Sequence, residues 1–154
     1  MKTATLCFLV RDGTIILAKK KRKVGVGKWN GYGGKVEGDD TIEKTAVDEV
    51  LDECGTVIKE SDLEKAGLCL FFIDGKPEWQ VHVFIARHWI NDPKESDEMG
   101  KPETFKLDNV PYQEMLSADQ KWMPLVLAGK KIKANIYYDQ EMNVKNFSFV
   151  ESNF

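Results

Sequence analysis

The sequence predicts an α/β fold in which a mixed β-sheet is flanked by helices. Apolar, strand-like runs open and close the chain, and helical patterns interrupt them only at 40–55 and 118–128. These β and α segments follow one another without strict alternation, which excludes a purely parallel, doubly wound sheet. The length of 154 residues suits a single domain, 1–154, with a real core. Hydrophobic residues make up 42% of the chain and charged residues 31%, with a net charge of −3. So mild an acidic balance argues against a dedicated nucleic-acid or membrane binder. No apolar run reaches the length of a membrane span, and the N-terminus lacks the apolar core of a signal peptide. Cys7, Cys54 and Cys69 are odd in number and show no C-x-x-C spacing. They read as reduced, buried thiols of a cytoplasmic protein, not as a disulfide framework or a zinc site.

The elements follow in order. Thr3 to Val10 and Thr14 to Lys19 are strand-like runs, and Asp12-Gly13 between them signals a hairpin turn. A basic run, KKKRK at 19–23, leads into a segment where Gly25, Gly27, Gly31, Gly33 and Gly34 are interleaved with Trp29 and Tyr32. Asp40 can cap the next helix, with Glu43 completing a capping-box pattern, and Gly55 suits its left-handed end. Gly67 to Ile73 and Trp79 to His88 are β-rich runs around a turn at Asp74-Gly75-Lys76-Pro77. Residues 91–102 form a polar loop holding four acids. Tyr112 to Met115 suggests a short helix and Ala118 to Ala128 a longer one, with Trp122, Leu125 and Val126 on its apolar side. Lys131 to Tyr138 and Asn143 to Val150 close the chain as strands.

The first long helix carries the most chemical information. Glu49, Asp52 and Glu53 stand at i, i+3 and i+4, on one stripe of its surface. Ala46, Val47, Val50, Leu51 and Cys54 make up the apolar side. Clustered carboxylates repel one another, and a hard divalent cation with a preference for oxygen ligands relieves that repulsion. The bland alternative is a solvated acidic face. The Gly33-Gly34 loop leading into the helix favours the cation.

That loop and helix match the Nudix signature, in which a glycine and a glutamate precede an R-E-U-x-E-E-x-G-U run, U being bulky and aliphatic. Gly34, Glu49, Val50, Glu53 and Gly55 keep their places, while Asp40 and Asp52 replace glutamates. Asp48 stands where the family has arginine, and Thr56 where it has an aliphatic residue. KWNGYGGKV at 28–36, VHVF at 81–84, ESDEM at 95–99 and KWMPLVL at 121–127 extend the match over nearly the whole chain. It resembles the MutT-like branch of the family, the animal 8-oxo-dGTP diphosphatases that clear oxidised purine nucleotides.

The resemblance implies a Nudix α/β/α sandwich and a cleavage of (d)NTP by water to (d)NMP and diphosphate. It implies Mg²⁺, with Mn²⁺ as a substitute, held by Gly34, Glu49, Asp52, Glu53 and Glu98. Glu49, Glu53 and Glu98 are the implied catalytic acids, with the general base left open between Glu53 and Glu98. Asn30, Asp119, Lys20, Thr5 and Gly33 are the implied nucleotide contacts. An amide such as that of Asn30 offers both donor and acceptor to a purine edge. Three positions depart from the family's base pocket: Leu116 and Val24 replace aromatic residues, and Ala118 replaces one of two adjacent aspartates. Phe71, Ile73, Trp79 and Met99 are candidates to line a reshaped pocket, with core packing as their plainer role. Trp122 and His82 read as structural. Asp48 is expected to raise a neighbouring carboxylate's pKa and weaken apparent metal affinity. The expected partner is a small-molecule nucleotide substrate, without nucleic acid or membrane, and the chain is expected to be a monomer. Two alternatives stand beside this: a Nudix hydrolase of an NDP-sugar or dinucleoside polyphosphate, and a nucleotide-binding regulatory domain weakened by Asp48.

Overall fold

The computed structural model describes residues 1–154. Strands β1 (Lys2–Arg11) and β2 (Thr14–Lys19) pair antiparallel across the expected turn. Asp12 and Gly13 there adopt φ of 55° and 74°, the two positive values that a tight hairpin of this twist requires. A two-residue strand, β3 (Trp29–Asn30), follows the basic run, then helix α1 (Ile42–Cys54). Strands β4 (Leu63–Ile73) and β5 (Lys76–Ala86) form a second hairpin around Asp74 and Gly75, again at positive φ. Strand β6 (Glu103–Lys106), helix α2 (Asp119–Leu127) and strands β7 (Ile132–Tyr138) and β8 (Val144–Glu151) complete the chain.

All eight strands join one sheet in the order β3-β2-β1-β5-β4-β7-β8, with β6 also pairing β2. The β1–β5 and β4–β7 contacts are parallel and the others antiparallel, so the sheet is mixed. Period-2 alternation in β1 then dictates the layers. Cys7 and Leu9 point to one face, where they join Ala46, Val50 and Cys54 of α1. Phe8 and Val10 point to the other, where they join Trp122, Met123 and Val126 of α2. The sheet thereby separates two apolar cores. All three cysteines are free and buried, and no helix is long and apolar enough to cross a membrane.

Several boundaries differ from the sequence expectation. Thr41, not Asp40, caps α1: its Oγ1 accepts the Lys44 N–H at 3.1 Å, and its extended backbone places the hydroxyl over the first turn. Asp40 instead lies 3.6 Å from Lys44 Nζ. Leu51 falls outside the buried stripe and is 47% exposed. Strand β4 starts at Leu63, and β5 takes in Pro77, which a register shift at Phe71/Phe72 accommodates. The segment at 112–115 is a single 3₁₀ turn, Tyr112–Glu114. Strands β3 and β6 had no visible pattern: one is two residues among glycines, the other a charged ETFK edge.

Candidate active site

The glycine-rich segment lies flat on β1. Cys7 and Tyr32 exchange backbone hydrogen bonds at 2.6 and 3.0 Å, and Thr5 N–H donates to Gly34 O at 2.9 Å. This closeness requires the glycines. A Cβ at Gly33 would come 1.9 Å from Thr5 O, and one at Gly34 would come 2.5 Å from Glu49 Cδ. The same segment reaches α1, because Gly33 N–H donates to Glu53 Oε1 at 3.0 Å. Strand, loop and helix are thus tied together at the first acid of the site.

A cavity of about 410 Å³ opens here. Glu49, Glu53 and Glu98 line it together with Lys20, Arg22, Lys23 and Lys35. Glu53 is 7% exposed. Burial pushes its carboxyl up to about 8, against the pull of the Gly33 N–H, and the neighbouring Glu98 and Glu49 push the same way. Glu49 is also raised, first by burial, then by Asp52 and Glu98, with Asp48 among the smaller causes. Lys20 is lowered by burial, an effect that the charge of Glu53 opposes.

Within the basic run Lys21 alone departs from its neighbours Lys20, Arg22 and Lys23. Lys20 lines the cavity, while Lys21 turns away and secures the acid loop. Lys21 Nζ donates to Ser96 O at 2.7 Å and pairs with Glu95 at 2.6 Å, and its N–H donates to Glu98 O at 2.9 Å. Ser96 Oγ accepts the N–H groups of Glu98 and Met99, both at 3.2 Å. Glu98 is held opposite Glu53 by this loop geometry.

Asp52 does not join them. It is exposed and absent from the cavity wall, because a residue three positions after Glu49 and one before Glu53 falls on the solvent side of their stripe. Asp48 also stays outside the cavity, with its carboxylate 2.6 Å from Lys44 Nζ. Nor do any three His, Cys, Asp or Glu side chains gather tightly enough to make a ready cage for a metal. The acids line a common wall without converging on one point.

The apolar part of the lining comprises Phe71, Ile73, Trp79, Met99, Leu116 and Met142. Two polar groups, Asn30 and Asp119, lie among them. Asn30 Oδ1 accepts the Gly31 N–H at 2.8 Å, so its amide NH₂ is what it offers a ligand. Asp119 is 5% exposed and accepts the Trp122 indole N–H at 3.2 Å. Burial raises its carboxyl to about 7, and the indole opposes the rise. Trp122, 1% exposed, is both core anchor and holder of this acid. Thr5 and Gly33 line the cavity as expected, but their polar groups turn inward: the Thr5 hydroxyl lies 3.5 Å from Gly34 O, and Gly33 N–H serves Glu53. His82 is buried in β5 with Nδ1 unpartnered, away from the cavity wall. Arg22, Lys35 and Met142 were not anticipated. Lys35 directly follows the Gly33-Gly34 loop, a signal that could have found it, whereas nothing local marks Met142 in its turn.

The model of the NUDIX domain matches residues 1–128, and the chain belongs to that family. A protein of Danio rerio described as oxidized purine nucleoside triphosphate hydrolase is 41% identical over 131 residues, covering 84% of this chain and 82% of the relative. A Mus musculus protein of the same description is 36% identical over 148 residues, covering 96% and 93%. Among solved structures, a MutT protein from Bacillus halodurans superposes with a TM-score of 0.79 at 26% identity, covering 97% of each chain. Nudix hydrolases generally use a divalent metal, and the donors here fit one. Glu49, Glu53 and Glu98 share the cavity wall with Gly34, and the mutual repulsion of these oxygen ligands suits a hard cation.

Proposed function

We propose that this chain is a Mg²⁺-dependent purine nucleoside triphosphate pyrophosphohydrolase, releasing monophosphate and diphosphate and clearing damaged nucleotides from the pool. One observation carries the reading: a single cavity is lined both by acids and cations and by apolar side chains, with Asn30 and Asp119 among them. A triphosphate needs the first set of groups and a purine the second. The Danio rerio and Mus musculus relatives described as oxidized purine nucleoside triphosphate hydrolases support the same substrate class.

Glu49, Glu53, Glu98 and the Gly34 carbonyl would hold the cation, with Asp52 contributing through water from the solvent side. When bound, the cation neutralises phosphate oxygens and acidifies water. The residues of the chain supply the rest. Lys20, with Arg22, Lys23 and Lys35, neutralises the phosphate chain and orients it along the acid wall. The group that accepts water's proton belongs to the Glu53–Glu98 pair, where Gly33 N–H fixes one oxygen of Glu53. Asn30 NH₂ donates to the purine edge, and Asp119 reads it as donor when neutral and as acceptor when ionised. The whole chain, 1–154, works as one catalytic unit.

Incubation with Mg²⁺ and a panel of normal and oxidised nucleotides tests this, with products resolved as monophosphate and diphosphate. Purine triphosphates should be turned over and Glu53→Gln should be inactive. Turnover confined to NDP-sugars or dinucleoside polyphosphates, or binding without turnover, would overturn it.

A further inference from the structure

The turn between β7 and β8 contains a residue that the cavity uses and the family signature does not mention. Met142 lines the cavity with Leu116, Tyr138 and Trp122, and packs against the α2-side core. Its backbone sits at φ 63°, a left-handed conformation that disfavours any side chain with a Cβ. Glycine or asparagine would fit this position at less cost, yet methionine occupies it.

The surrounding contacts hold that conformation in place. Met142 N–H donates to Asp139 O at 3.1 Å, and Asp139 Oδ1 accepts the N–H groups of Glu141 and Asn143 at 3.0 and 2.9 Å. Ser117 then latches the turn to the segment that carries Leu116 and Asp119. Its hydroxyl donates to Met142 O at 3.3 Å and accepts the Val144 N–H at 3.1 Å. The strained residue is thereby fixed relative to the acid that reads the base. Strain kept in place by a dedicated set of contacts points to a use for the side chain.

We infer that Met142 is a specificity-determining residue whose thioether packs against the nucleobase, and that Ser117 is its positioning residue. This rests on the nucleotide reading above. Leu116 offers no aromatic plane of its own, and the polarisable sulfur of Met142 adds to the rings of Phe71 and Trp79 a further contact for the purine π-system. A flexible thioether adapts its shape more readily than a rigid ring. The pocket should therefore accept purines with different substituents with little discrimination among them, while favouring purines over the smaller pyrimidines.

The test uses the full chain with Mg²⁺, purine and pyrimidine triphosphates, and inorganic tripolyphosphate as a substrate without a base. Met142→Gly relieves the positive φ while deleting the thioether, so stability and base binding should move apart. The expected result is an unchanged or raised Tm and a KM for purine triphosphates up by about fivefold to tenfold, the scale of a sulfur–aromatic contact. kcat and tripolyphosphate kinetics should stay put. Met142→Leu should restore part of the loss. Ser117→Ala should raise the same KM without lowering kcat, and Ser117→Thr should rescue it. Met142→Gly with unchanged purine KM would overturn the inference while leaving the nucleotide reading intact. A wild-type enzyme that treats tripolyphosphate and nucleotides alike would overturn both.

Discussion

Replacing Asp119 by asparagine should stabilise the protein, and by an amount that depends on pH. The carboxyl is buried against α2 and Trp122, and burial raises it from 3.8 to about 7. A raised carboxyl is neutral in the folded chain over a range where it is already ionised in the unfolded one. Its favourable contribution is therefore complete below about pH 4, and is lost steadily as pH climbs to about 7. Each pH unit in that interval removes about 1.4 kcal/mol, and the total reaches about 4 kcal/mol as an upper bound. Asparagine keeps the acceptor for the Trp122 N–H and cannot ionise. Urea unfolding of both proteins from pH 5 to 9 isolates the effect, since the groups that Asp119 itself raises, Cys69, Tyr112 and Tyr138, stay protonated in the fold over this range. The difference in unfolding free energy should grow in favour of Asp119→Asn up to about pH 7 and then level off, with unchanged m-values. A difference that is flat across this range, or that grows in favour of wild type, would refute the burial argument.

Five further substitutions probe other parts of the protein. Gly33→Ala drives a Cβ to 1.9 Å from Thr5 O and should cost more than about 3 kcal/mol in thermal unfolding, with activity lost as Glu53 loses its donor. Gly13→Ala, whose Cβ meets open space at φ 74°, should cost only about 1 kcal/mol by the same measurement. Thr41→Ala should lower stability by about 1 kcal/mol and Asp40→Ala by much less, because only Thr41 caps α1; equal melting temperatures would contradict the cap assignment. Asp48→Arg removes one of the smaller charges raising Glu49 and breaks the exposed pair with Lys44. Mg²⁺ titration of activity should show the half-saturating concentration falling by only about twofold, in line with the small worth of surface charges.

What was legible in the sequence was whatever repeats locally. The apolar run of β1 announced a strand, and Asp12-Gly13 and Asp74-Gly75 announced their hairpins, because turn chemistry is confined to a few residues. Glu49, Glu53 and Glu98 could be found through the family pattern, and all three line one cavity. Failures came where orientation is decided from a distance. Asp40 and Thr41 are both good caps, and the path of the preceding loop chose between them. Strand β6 has no apolar pattern because its pairing with β2 is an edge interaction. Met142 acquires its place only when β7 and β8 fold back beside residue 117, a meeting that local pattern does not encode.

The division of the interior by the sheet has a bearing on how such an enzyme changes over generations. Glu49 and Glu53 stand on α1, whose core includes Cys7, Tyr32 and Val50. Asp119, the proposed base contact, stands on α2, whose core includes Trp122, Met115 and Ala118. Substitutions that share no packing partners add nearly independently. Selectivity can therefore drift, as at Leu116, Ala118 and Val24, while the hydrolytic face stays intact. The sheet acts as a firebreak between what the protein recognises and what it does.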